Sequence, residues 1–183
     1  MLDSCLVRQC APTLAGVKVG SLFCLEIADG VLLCNVLARW NRALNPKGVF
    51  AQVVAEKRGR SFIYVYRYSA LESLKESQEI KSFLKGFGYG SFDVESMLKN
   101  FQRRMNVSVC FPHEVGIFLG YPLEDVRDFI VHGGKNYKQI GCWKVYHDVS
   151  NCMHISEVYK KCKKVLCDQF EQGVTLERLT VAS

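Results

Sequence analysis

A chain of 183 residues, 49% hydrophobic and 23% charged, carries enough apolar surface for a packed core, and disorder is not expected. Its most apolar stretch, residues 31–38, is interrupted by Asn35 and closed by Arg39, which excludes a membrane-spanning helix there. A net charge of +6 permits an acidic partner without demanding one.

The N-terminus lacks the basic start, apolar stretch and small-residue cleavage site of a secretory signal, so a cytoplasmic location is expected. Asp3 is placed to cap a short helix with Leu6, Val7 and Cys10 inward and its end near Pro12. The nine cysteines are odd in number and contain no Cys-x-x-Cys pair. Cys5/Cys10 and Cys162/Cys167 would each point about 140° apart on a helix, which makes reduced, structural thiols the expectation.

Residues 17–25 have the composition of a strand. From 28 to 44 apolar residues recur at Val31, Leu32, Val36, Leu37, Trp40 and Leu44, predicting a buried helix that stops at Asn45, Pro46 and Gly48. Residues 49–55 and 61–67 are β-rich runs joined by the polar, glycine-containing loop 56–60. Ser69 and Glu72 fit a capping box ahead of helices over 70–76 and 78–85, the second ending at Gly86. Ser91 is placed to cap a further helix with Val94, Leu98, Phe101 and Met105 on one face.

The region from 112 to 131 reads as a helix-turn-helix-like corner. Pro112 suits a first helical turn and Glu114 favours that end of the helix dipole. Gly116 leaves room for the second helix to pass, Gly120 takes the positive φ of the turn, and Pro122 starts the next helix. Val115, Leu119, Val126 and Phe129 then close the apolar contact between them. Such corners often present a DNA-reading second helix, but the positions taken as exposed here include Glu124, Asp125 and Asp128, which phosphates would repel.

Residues 132–141 have the glycines and polar groups of a loop, and 142–147 read as a strand. An amphipathic helix over 153–170, with Ile155, Val158, Tyr159, Cys162, Val165, Leu166 and Phe170 inward, ends before Gly173. Residues 174–183 remain as a tail or an added edge strand. The expected fold is α+β: one domain over 1–183, with a small, mainly antiparallel sheet from 17–25, 49–55, 61–67 and 142–147 covered by helices.

Several groups could carry chemistry. His113 and Glu114 are proton-transfer types, but Ile117 stands where a His-Glu-x-x-His metalloprotease needs its second histidine. Cys110 and His113 would form a thiol–imidazole pair only if folding brings them together. His113, His132, His147 and His154 lie near Cys110, Cys142 and Cys152, without zinc-motif spacing, so neither metal nor cofactor is expected. Lys160, Lys161, Lys163 and Lys164, with Lys135, Lys138 and Lys144, could form a basic surface for nucleic acid, although such lysines are more often a solvated face. Phe62, Tyr64, Tyr66 and Tyr68 alternate onto one side of a strand and partly echo an RNA-binding motif, but the motif fails at Arg60, Ser61 and Val65, which favours a buried aromatic face. Gly133 and Gly134 precede Lys135 without the spacing of a phosphate loop.

Trp143 and Tyr146 near Lys144 could floor a small pocket for an anionic ligand, with Tyr121 and His113 contributing if the corner folds back over the strand. The candidate ligand or partner surface is therefore His113, Glu114, Tyr121, Lys135, Trp143, Lys144 and Tyr146.

The run Phe111-Pro-His-Glu-Val-Gly-Ile-Phe-Leu-Gly-Tyr-Pro-Leu-Glu-Asp-Val126, followed by Phe129, Ile130, Gly134, Asn136, Gly141 and Trp143-Lys-Val-Tyr146, resembles the signature of an uncharacterised bacterial family, domain of unknown function 3793. The resemblance spans nearly the whole chain, including Cys10-Ala-Pro-Thr-Leu14. It implies a single cytoplasmic domain from Clostridium-like anaerobes, a setting suited to reduced cysteines, and it brings no activity. A noncatalytic domain that binds a small anionic ligand or a protein partner is the leading expectation. A nucleic-acid-associated module and an enzyme with a His/Glu or Cys/His site are the alternatives.

Overall fold

The computed structural model describes residues 2–27, 29–107 and 111–182. Strands β1 (Gly20–Leu25), β2 (Val49–Lys57) and β3 (Arg60–Arg67) form one antiparallel sheet in the order β1-β3-β2. The central β3 alternates aliphatic and aromatic residues because helices cover both faces of the sheet. Ile63 and Val65 join one apolar cluster with α1 (Leu2–Leu14), α2 (Gly30–Leu44), Leu166 of α8 (Val149–Glu171) and Leu179 of α9 (Leu176–Leu179). Tyr64 and Tyr66 join a second cluster with α3 (Tyr68–Glu72), α4 (Gln78–Lys85), α5 (Val94–Val107), α6 (Val115–Phe118) and α7 (Leu123–Val131). The architecture is thus α+β, with a small antiparallel sheet between two helical layers. Tyr64 and Tyr66 stack at 5.2 Å under the second layer, which leaves neither ring a surface for a nucleic-acid base.

Two polar anchors fix this layering. The Tyr64 hydroxyl donates to the Phe118 carbonyl at 2.7 Å and ties the sheet to α6. The Arg67 guanidinium, drawn into the protein, donates to the Thr13 carbonyl in the last turn of α1 (2.9 Å) and to the Val181 carbonyl (2.7 Å). A cation at a helix C-terminus meets the negative end of the helix dipole, so Arg67 holds α1 and the C-terminal segment together.

Several sequence expectations are corrected. The loop at 56–60 contracts to a two-residue turn, with φ of 53° at Arg58 and 73° at Gly59, the positive values a tight hairpin demands. Residues 142–147 do not add a fourth strand. They form a separate two-stranded ribbon, β4 (Gln139–Ile140) with β5 (Lys144–Val145), because the backbone amides of Tyr146 and His147 are spent on the Asp125 carboxylate. Asp3 accepts from Trp40 Nε1 (2.6 Å) and Arg39 and does not cap α1, and Pro12 lies inside that helix. Ser69 caps nothing: α3 starts at Tyr68, and Glu72 pairs with Lys75. The helix expected at 28–44 is buried on one face only, with Val31 72% exposed. Val165 of α8 likewise faces outward. Residues 176–179 form α9, with Leu179 buried, in place of a loose tail or edge strand.

Candidate binding site at the helical corner

The corner is built as its small residues require. Gly120 has φ +77°, and the Tyr121 amide closes the turn on the Gly116 carbonyl at 2.9 Å. A side chain at Gly116 would place its Cβ 2.6 Å from Val126 Cγ2, so only glycine lets α7 cross α6 this closely. Short α6 is anchored from beneath, where Phe118 stacks on Phe101 with centroids 4.7 Å apart.

Asp125 then attaches the ribbon to the corner. Expected on the outside, it is only 3% exposed. Its Oδ2 accepts from Trp143 Nε1 at 2.6 Å, and its Oδ1 accepts from the backbone amides of Tyr146 (2.9 Å) and His147 (3.0 Å). Three N–H donors on one buried carboxylate give a strong, directional joint. Trp143 is held flat against Tyr121, with ring centroids 5.1 Å apart and planes at 27°. On the far side the ribbon rests on α8, where a Cβ at Gly141 would meet Cys152 Sγ and Ser156 Oγ at 2.7 Å.

Between corner and ribbon lies a cavity of about 320 Å³. Its walls are Val115, Leu119 and Val126 from the corner, the Phe111, Phe129, Tyr121 and Trp143 rings, and the edges of His113, Asp125 and Lys144. Val115, Leu119 and Val126 pack together in the second apolar cluster as expected, and with Phe129 they also present a face to this opening. The His113 ring sits edge-on to Phe129 at 5.0 Å. Lys144 Nζ donates to the Gly134 carbonyl at 2.7 Å and lies 4.9 Å from the centre of the Tyr137 ring and 5.7 Å from that of Phe129. Gly134 is at φ +72°, where a side chain would be strained, and a Cβ there would crowd the Phe129 ring at 3.1 Å.

Of the candidate residues, His113, Tyr121, Trp143 and Lys144 meet at this cavity, and the other three do not line it. Glu114 is 0% exposed and binds Arg104 through both carboxylate oxygens, at 2.6 and 3.3 Å, so it serves packing and not the cleft. Lys135 points to solvent. Tyr146 is buried behind the ribbon, stacked with His132 at 5.7 Å. Cys110, the proposed partner of His113, falls outside the described residues.

Asp125 was the contributor least visible in the sequence. A carboxylate two residues past the start of an amphipathic helix gives no sign that a distant tryptophan will pair with it. A second unforeseen pair, His147 Nε2 with Asp128 Oδ2 at 2.9 Å, lies outside the cavity and largely in solvent.

Both Asp125 oxygens are occupied. Burial pushes the Tyr121 hydroxyl up to about 12, helped by the nearby Cys142 and Cys152 thiols, so it stays protonated at neutral pH and donates to the Cys142 carbonyl at 3.3 Å. Among the described residues no group of three His, Cys, Asp or Glu side chains converges as a metal site, and no helix is long and apolar enough to cross a membrane. The eight described cysteines are free thiols.

The family described as "Protein of unknown function (DUF3793)" matches residues 6–180. No curated protein and no solved structure matches the chain.

Proposed function

The chain belongs to the DUF3793 family, and we propose that it is a noncatalytic binding protein whose small, anionic ligand enters the cavity between α7 and the ribbon. One observation carries the reading: aromatic and aliphatic walls surround a preformed hollow whose few polar groups are either satisfied or set at its edge. Pockets for small molecules combine such walls with a few orienting polar groups. Catalysis fits less well, because among the described lining residues the Asp125 carboxylate is already engaged by three N–H donors and Lys144 donates to the Gly134 carbonyl. A nucleic-acid role draws on the lysines of α8 with Lys135, Lys138 and Lys144, and of these Lys160 pairs with Glu157, Lys138 donates to the His147 carbonyl and Lys144 to the Gly134 carbonyl. The free thiols suit a reducing cytoplasm, and an anaerobic bacterium is the setting we assign to the chain.

Leu119 is half-exposed on the cavity wall, so Leu119→Trp fills the hollow with little disturbance of the core beneath. In ligand-observed NMR with a collection of small aromatic and aliphatic acids, several should bind the wild type at micromolar to millimolar strength and lose binding to Leu119→Trp. If no acid binds, or if the same acids bind both proteins equally, the cavity is not the functional site.

A further inference from the structure

The dimensions and polarity of the cavity narrow the ligand class, and we infer that its occupant is a flat, two-ring aromatic acid, with the rings inside the hollow and the carboxylate against Lys144. This rests on the cavity being a binding site.

Size gives the ring count. An apolar cavity of roughly 150 Å³ accommodates one benzene ring. The hollow here, about 320 Å³, has room for two fused rings and a small substituent. Wall chemistry gives the shape: Trp143 and Tyr121 form one stacked wall, while Phe129, with His113 edge-on to it, forms part of another. Planar rings gain offset and edge contacts from such walls that an aliphatic chain of equal area does not.

Charge gives the functional group. Asp125 is the one carboxylate among the described lining residues, and three N–H donors engage its oxygens, so a cationic ligand would have to compete with the ribbon's own attachment. Lys144 is in the opposite condition. Its ammonium spends one proton on the Gly134 carbonyl, and none of the ion pairs among the described residues includes it. Lysine carries three donors, which leaves two for a carboxylate at the rim. The Phe129 and Tyr137 rings and the tight packing at Gly134 hold the ammonium in place, so little freedom is lost when an anion arrives.

Calorimetric titration of the full chain with naphthalene-2-carboxylate, its neutral carboxamide and 2-naphthylmethylammonium tests this, with tryptophan emission followed in parallel. Trp143 lies in the cavity wall, while Trp40, the second of the two tryptophans, is buried on the other side of the sheet and serves as a constant background. The carboxylate should quench Trp143 and bind about tenfold tighter than the carboxamide, the gain of a charge-assisted hydrogen bond. Lys144→Met should abolish the preference for acid over amide, and Lys144→Arg should retain it. Equal binding of acid and amide, tighter binding of the ammonium, or an acid preference that survives Lys144→Met would overturn the ligand class while leaving the cavity as a binding site. If none of the three binds the wild type while other acids do, the two-ring class is wrong. If Leu119→Trp binds the carboxylate as well as the wild type does, the site itself is elsewhere.

Discussion

Asp125 is the residue on which the site most depends, because the indole and two backbone amides of the ribbon have it as their acceptor. Asp125→Asn turns one acceptor into an NH2 group facing N–H donors, and the loss should cost about 2.5–6 kcal/mol, the sum of a charged hydrogen bond and an unsatisfied buried donor. Thermal unfolding measures the cost. Trp143 emission should also shift to the red as the indole leaves its cover, whereas an unchanged melting temperature and spectrum would mean that the ribbon is held by packing alone. Gly116 and Gly120 were legible in the sequence because steric exclusion acts locally: a missing side chain or a positive φ marks its own position. Asp125 was not legible, because what distinguishes it from exposed Glu124 is a tryptophan 18 residues away. Glu114 misled for the same reason, since Arg104 drew it inside the protein.

At the scale of elements, stops at glycines were read better than side-chain caps: Asp3 and Ser69 do not cap their helices, and Asp93 caps α5 where Ser91 was expected to, with the Ser91 hydroxyl bonded to the Asp93 carboxylate. Gly173, expected past the end of α8, follows it at φ +89°, whereas Ser77, which caps α4 by accepting from the Ile80 amide, had not been singled out. Elements whose extent depends on tertiary partners were read less well: the ribbon, the one-sided burial of α2, and α9. The start of α5 gives an acid-stability test. The Ser91 hydroxyl and then the Ser96 amide hold the Asp93 carboxyl down to about 2, below its usual value near 3.9. A depressed carboxyl contributes its stabilisation in full above the unfolded value and loses it as the pH falls through the folded one. The wild-type melting temperature should therefore fall more between pH 5 and pH 2 than that of Asp93→Asn, whose amide oxygen caps the helix without titrating. Equal falls would show that the carboxylate adds nothing to the cap.

On the scale of the whole molecule, a sheet covered on both faces gives the corner a rigid base. Tyr64 passes this rigidity on directly through its bond to Phe118, and Phe118 stacks on α5. The site forms at the margin of that base, where α6 and α7 face a ribbon that belongs to neither large core. Its apolar walls would otherwise stand open to water, and a bound ring system would cover them. Ligand at a hundred times its dissociation constant should add about 2.7 kcal/mol to the stability of the fold.

The most direct test is a crystal structure of the full chain with naphthalene-2-carboxylate at saturating concentration. The rings should lie between Trp143 and Phe129 over Val126, with the carboxylate within hydrogen-bonding distance of Lys144 Nζ. An empty cavity, or the ligand bound at any other surface, would contradict the assignment of this corner as the binding site.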